Sequence, residues 1–101
     1  MFIRIGTTKF PDKTKANLFL SVWKTDMLPA LKQDSKVLEV SFLDIGEGKL
    51  LAIAKYYSED DFQDTNKWLY PLIIKNVKAL DGVFQSIPGD LLVHWNREQE
   101  N

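Results

Sequence analysis

Leu50-Leu51-Ala52-Ile53-Ala54-Lys55-Tyr56-Tyr57 reads as a β-strand that is dry on both sides. At period two, Leu50, Ala52, Ala54 and Tyr56 share one face. Leu51, Ile53 and Tyr57 share the other, and Lys55 is the one charge among them. An antiparallel hairpin usually keeps one face for water. The preceding stretch, Val37 to Ile45, has the same character, with Leu43 and Ile45 opposite Leu38, Val40 and Phe42. Asp44-Ile45-Gly46-Glu47-Gly48 joins the two as a glycine-containing hairpin. Helices of the same chain can cover one face of such a sheet. A second copy of the sheet is the economical cover for the other, which predicts a homodimer.

The flanking segments supply the helices. Phe2 to Thr7 alternates as a first strand, and Pro11-Asp12 is a helix-start signal. From Lys13 to Leu31, apolar residues including Ala16, Phe19, Trp23 and Met27 recur every three or four positions, which predicts one buried helical face. Pro29 should kink or re-start the last turn. Gln33-Asp34-Ser35 is a loop. After the hairpin, Ser58 with Asp61 three residues on looks like a capped helix start, and Phe62, Thr65, Trp68, Leu69, Leu72 and Ile73 continue at helical spacing. Pro71 should kink or split this second helix, and Asp81-Gly82 should end it. The span from Pro71 to Gly89 leaves room for an extra helix. Pro88-Gly89 reads as a turn, Leu91 to Trp95 as the last strand, and residues 96–101 as a polar frayed end. The order is βαββαβ. It predicts an α+β domain over residues 1–96 with a polar tail at 97–101: four antiparallel strands with two main helices on one face.

Composition narrows the function classes. The 101 residues are 45% hydrophobic and 27% charged, an ordinary globular balance. Thirteen basic against 14 acidic residues give a net charge of -1, which argues against a nucleic-acid partner and offers no polybasic membrane patch. Without cysteine there is no disulfide, thiolate nucleophile or Cys-based metal site. The short apolar start, Met1 to Gly6, does not read as a signal peptide, and no apolar run approaches the ~20 residues of a membrane span. A cytoplasmic location is the expectation.

Phe10-Pro11-Asp12-Lys13 after the first strand, Phe19-Leu20-Ser21-Val22-Trp23 followed by Leu28-Pro29-Ala30-Leu31, the apolar hairpin and Ser58 together carry a resemblance. Over nearly its whole length the chain resembles the dimeric α+β barrel superfamily, and within it the antibiotic-biosynthesis-monooxygenase-like domain. That resemblance implies a ferredoxin-like fold and a homodimer. It also implies a small-molecule-binding protein akin to cofactor-independent monooxygenases of aromatic or quinol-like substrates, needing no metal, haem or flavin. The alternative is a non-catalytic ligand-binding or stress-associated homodimer with a small or filled cavity. Two departures stand out. Asp34-Ser35 replaces a frequent Pro-Gly after the first helix, and the approach to the last strand is long. Haem-degrading relatives pair a strand-one Asn with a Trp and a His on the second helix. Here Thr7 and Thr8 occupy the strand, Trp68 is present, and no His follows it, the nearest counterpart being Lys78. Haem degradation is rejected on that ground. The Trp, Asn and Arg that oxygenase members place around a cavity are met only in part, because Asn66 and Trp68 are two residues apart and fall on different helix faces.

Five residues are candidates for the site. His94, the only histidine, could serve as a general base, or could sit at a wet rim or in the dimer seam. Arg4, a charge within an apolar strand, could bind a substrate oxygen, or could pair with Glu39 or with an acidic residue across the dimer. Trp23 and Trp68 could wall a cavity between helices and sheet, or pack as plain core. Tyr56 could turn its hydroxyl to ligand, or fill the rim. The catalytic expectation places Arg4 and His94 side by side on neighbouring first and last strands, with Trp23, Trp68 and Tyr56 binding substrate.

Overall fold

A computed structural model describes residues 1–99. Strand β1 (Phe2–Lys9) leads to α1 (Lys13–Val22), a five-residue π-helical turn (Trp23–Met27) and α2 (Leu28–Gln33). Then follow β2 (Val37–Gly46), β3 (Lys49–Tyr56), α3 (Glu59–Ala79) and β4 (Val83–Asp90). The strands form one antiparallel sheet in the order β2-β3-β1-β4, as the βαββαβ reading requires.

The helix boundaries follow the side chains that set them. Asp12 accepts a hydrogen bond from Lys15 N at 2.8 Å, and Ser58 accepts one from Asp61 N at 3.2 Å, so each satisfies an amide that the first turn leaves free. Pro29 has no N–H, and its ring crowds the carbonyl four residues back. The chain widens just before it: the Leu28 N–H bonds Trp23 O, five residues back. Thr25 Oγ1 bonds the Ser21 and Val22 carbonyls at 3.0 and 3.3 Å, a pattern that bends helices. The helix re-starts as α2, as expected.

Pro71 does not split the second helix. It lies inside α3, which runs unbroken for 21 residues. Phe62, Thr65, Leu69, Ile73 and Val77 stay buried on both sides of it, and that continuous face outweighs one lost hydrogen bond. There is accordingly no extra helix between Pro71 and Gly89. The end of α3 is set where expected. Asp81 takes a positive φ of 59°, its N–H bonds Lys78 O, and Gly82 N bonds Val77 O at 2.8 Å. Gly82 is also sterically required, because a Cβ there would stand 2.7 Å from the buried Phe10 ring. Gly82→Ala is expected to destabilise the fold by about 1–3 kcal/mol, read as a lower urea midpoint at unchanged slope.

The last strand is a correction. It is Val83–Asp90, not Leu91–Trp95, and Pro88-Gly89 lies within it rather than in a turn. It borders β1 alone at the sheet edge, where a residue without an N–H is tolerated. Leu91 N still bonds Met1 O at 2.9 Å, and beyond it Leu92, Val93 and Trp95 are exposed. Arg97–Gln99 form a short 3-10 turn within the expected frayed tail. The rest of that tail, residues 100 and 101, lies outside the described residues.

Burial alternates along the central strands. Phe2, Arg4, Gly6 and Thr8 of β1 and Leu50, Ala52, Ala54 and Tyr56 of β3 face the helices and are buried. The opposite face presents Ile5, aligned with Ile53 on one side and Ile87 on the other, and Leu43 aligned with Leu51. Ile5, Leu43, Ile45, Val83 and Ile87 are exposed there. Both apolar faces of β3 are therefore real, and the helices cover only one.

Candidate functional site

The residue that least fits a plain core is Arg4. It points into the helix-covered face and is only 4% exposed. Its neighbours across the sheet are Ala54 and Pro88. Gly6, two residues along the same face, leaves room for the Phe84 ring that lies over Arg4. A Cβ on Gly6 would lie 2.9 Å from the Phe84 ring and 3.6 Å from Arg4 Nη1. A glycine inside a strand marks such a close approach. The Arg4 guanidinium carbon lies 5.6 Å from the Phe84 ring centroid, a cation–π distance. Yet neither Nε nor Nη1 has a hydrogen-bond partner among the described residues. Burial lowers the Arg4 pKa, partly opposed by the Tyr56 hydroxyl. A guanidinium remains charged nonetheless.

Arg4 borders a narrow chamber of about 20 Å³ between sheet and helices. Thr8, Ala52, Phe42 and Phe84 form its sheet side; Phe19, Trp23, Leu31, Leu69 and Ile73 close it from the helices. Trp23 stands edge-on to Phe42 at 4.9 Å between centroids. This is the position expected for a pocket, and Trp23 is in its wall. Glu39 cannot be the Arg4 partner. It pairs with Lys55 at 3.6 Å, and both lie on the opposite face.

Trp68 is elsewhere. Its Nε1 donates to Asp34 Oδ2 at 3.1 Å, Thr65 Oγ1 donates to the same oxygen at 2.8 Å, and Lys36 N donates to Asp34 Oδ1 at 3.0 Å. The indole borders a surface depression with Ala30, Gln33, Ser35 and Lys36, not the chamber. It ties the loop before β2 to α3. Burial pushes the Asp34 carboxyl up, but these hydrogen bonds and the Lys36 charge prevail and hold it below its ordinary value. Asp34→Asn and Trp68→Phe should each cost about 1–2 kcal/mol at neutral pH. A lowered carboxyl pKa gives stability that is present above the unfolded-state value and lost as pH falls through the folded one. The cost of Asp34→Asn should therefore shrink on acidification below the ordinary carboxylate range. Urea titrations at several pH values check both.

Tyr56 is buried at the far end of the sheet, against Phe2 and edge-on to Phe62 at 5.3 Å. Burial pushes its hydroxyl pKa up, so it remains neutral; the Arg4 charge opposes that shift and Asp34 adds to it. It does not border the chamber. His94 follows β4 in the exposed end, in a surface depression with Met1, Leu38, Glu39, Lys55 and Leu91. The expected pairing of Arg4 with His94 is not formed. The cause is the displaced strand: His94 lies four residues past the end of β4.

The sequence matches no protein-family model and no curated protein. Solved structures are similar. A dimeric ferredoxin-like protein from an uncultured marine organism superposes at a TM-score of 0.77 and 11% identity, over 96% of this chain and 100% of its own. A candidate antibiotic biosynthesis monooxygenase from Deinococcus radiodurans gives 0.79 at 15% identity, over 95% and 97%. SnoaB, a cofactor-independent oxygenase from Streptomyces nogalater, gives 0.70 at 7% identity, over 92% and 94%. The chain shares the ferredoxin-like fold of these structures. Thr8, Phe19, Phe42 and Phe84 line the chamber and are not among the candidates read from the sequence. Thr8 lies one residue past the expected end of the first strand, which in the structure runs to Lys9 and carries Thr8 on the Arg4 face. Phe84 is hidden in the sequence because its segment leaves room for an extra helix and the last strand is expected at Leu91 to Trp95.

Proposed function

We propose that the chain is a cytoplasmic homodimer that binds a small acidic aromatic or quinol-like molecule at Arg4 and oxidises it with O₂, without a cofactor. The observation that carries this reading is a buried guanidinium with two unpaired nitrogens in a chamber lined by aromatic rings. An unpaired buried cation is costly, and proteins keep such groups where a ligand answers them. A phenolate or enolate oxygen would accept from Nε and Nη1. Arg4 would lower the pKa of that oxygen by favouring its charged form. The electron-rich ring then passes electrons to O₂. One oxygen atom enters the ring as a carbonyl and the other leaves as water, so a phenol and O₂ give a quinone and water. With His94 outside the chamber, the substrate supplies its own acidity. The fold of the cofactor-independent oxygenases among its structural neighbours supports this reading by analogy.

The chamber's small volume favours the second reading, a binding protein without turnover. Oxygen uptake with a panel of acidic phenols and hydroquinones separates the two. The oxygenase reading expects uptake that matches quinone formed and disappears in Arg4→Met. Saturable binding without uptake across the panel would leave the binding protein.

A further inference from the structure

A chamber of about 20 Å³ holds roughly one water, not a ring. A ligand at Arg4 therefore needs one wall to move, and the structure narrows the choice. An outer groove of about 190 Å³ runs between α2 and β2, bordered by Leu28, Lys32, Val37 and Glu39. Trp23, Leu31 and Val40 line both this groove and the chamber. These three side chains stand between the outer groove and the chamber that Arg4 borders. Val40 is held in the sheet by its pairing with Ala54. Leu31 is buried in the core cluster on α2. Trp23 is only partly buried and begins the π-helical turn. Single π turns lack the regular four-residue bonding and recur at functional sites. Among the described residues no hydrogen bond holds the Trp23 indole, whereas Trp68 is tied to Asp34.

We infer that Trp23 is the movable wall through which an acidic aromatic ligand passes from the outer groove to Arg4, and that its indole sets the size of ring admitted. The inference rests on Arg4 as the anion-binding residue. Swinging the indole aside joins groove and chamber into one cleft with Lys32 at its mouth. The bound ring would occupy the space beside Phe42 and Phe84, with its acidic oxygen on Arg4.

Stopped-flow fluorescence with salicylate, a one-ring anion, and 3-hydroxy-2-naphthoate, a two-ring anion, tests this. A step that must wait for a wall to move slows association. Trp23→Ala should speed naphthoate association by about tenfold or more and narrow its disadvantage against salicylate. Trp23→Phe, which keeps the ring contact with Phe42, should fall between and serves if the alanine variant does not fold. Trp68→Phe should leave both rates unchanged. If both Trp23 variants keep wild-type rates and ring preference while Arg4→Met abolishes binding, the gate is wrong and the Arg4 reading stands. If Arg4→Met binds both anions as well as wild type, the Arg4 reading fails and the gate fails with it.

Discussion

Arg4→Met is expected to yield a more stable protein that no longer binds acidic aromatics. The usual outcome of a core substitution is a loss of about 1 kcal/mol or more, so the sign itself is informative. Arg4 is buried on the helix-covered face with Nε and Nη1 unpaired, and no carboxylate forms an ion pair with it among the described residues. Replacing buried charge with an apolar side chain of similar length stabilises other proteins by about 1–4 kcal/mol. Losing the contact with Phe84 subtracts about 1 kcal/mol. The net expectation is a gain of about 1–3 kcal/mol in urea unfolding, with binding of salicylate-like anions lost in the same variant. A loss of stability would mean that the guanidinium serves the fold, and the ligand reading would lose its basis. Arg4→Lys is a useful companion. It keeps the charge but not the planar fork, so it should weaken binding without the gain in stability.

The anomaly at Arg4 was legible in the sequence, because a period-two strand makes a charge on the wrong face visible. So were the hairpin, both helix caps, the re-start at Pro29 and the two dry faces of β3. Each is a local signal whose physics is complete within a few residues. The errors share a different origin. Val83 to Asp90 does not read as a strand because Ser86, Pro88 and Gly89 lower its strand character, while Leu91 to Trp95 looks more strand-like. An edge strand with one neighbour tolerates such residues, and that tolerance depends on strand order, which no local window contains. The misplaced strand carried His94 with it. Trp68 failed for a related reason. Helical spacing gave its face, but its partner Asp34 lies 34 residues away, and a side-chain hydrogen bond at that separation leaves no periodic trace. Pro71 shows the converse: the split that its missing N–H allows is prevented by a long buried face.

Ile53→Glu is expected to turn a dimer into a folded monomer. Ile53 lies on the face that the helices leave open, paired with Ile5 on one side and Ser41 on the other. With Ile5, Ile87, Leu43 and Leu51 it forms the centre of an apolar sheet surface. Four strands about 4.8 Å apart and eight residues long at about 3.3 Å each span roughly 500 Å² in plane. Pleating and side chains enlarge that area toward the ~800 Å² per partner of a stable interface. In a two-fold pair every substitution occurs twice. Two glutamates in a dry seam cost several kcal/mol, which weakens association by about a hundredfold or more. Sedimentation at micromolar concentration should give twice the chain mass for wild type and the chain mass for Ile53→Glu, with unchanged circular dichroism. Ala52→Glu, one residue away, makes a sharp contrast. Ala52 faces the helices and is buried, so the same charge there should unfold the chain rather than split a dimer. If Ile53→Glu sediments as the dimer, the open face is not the seam.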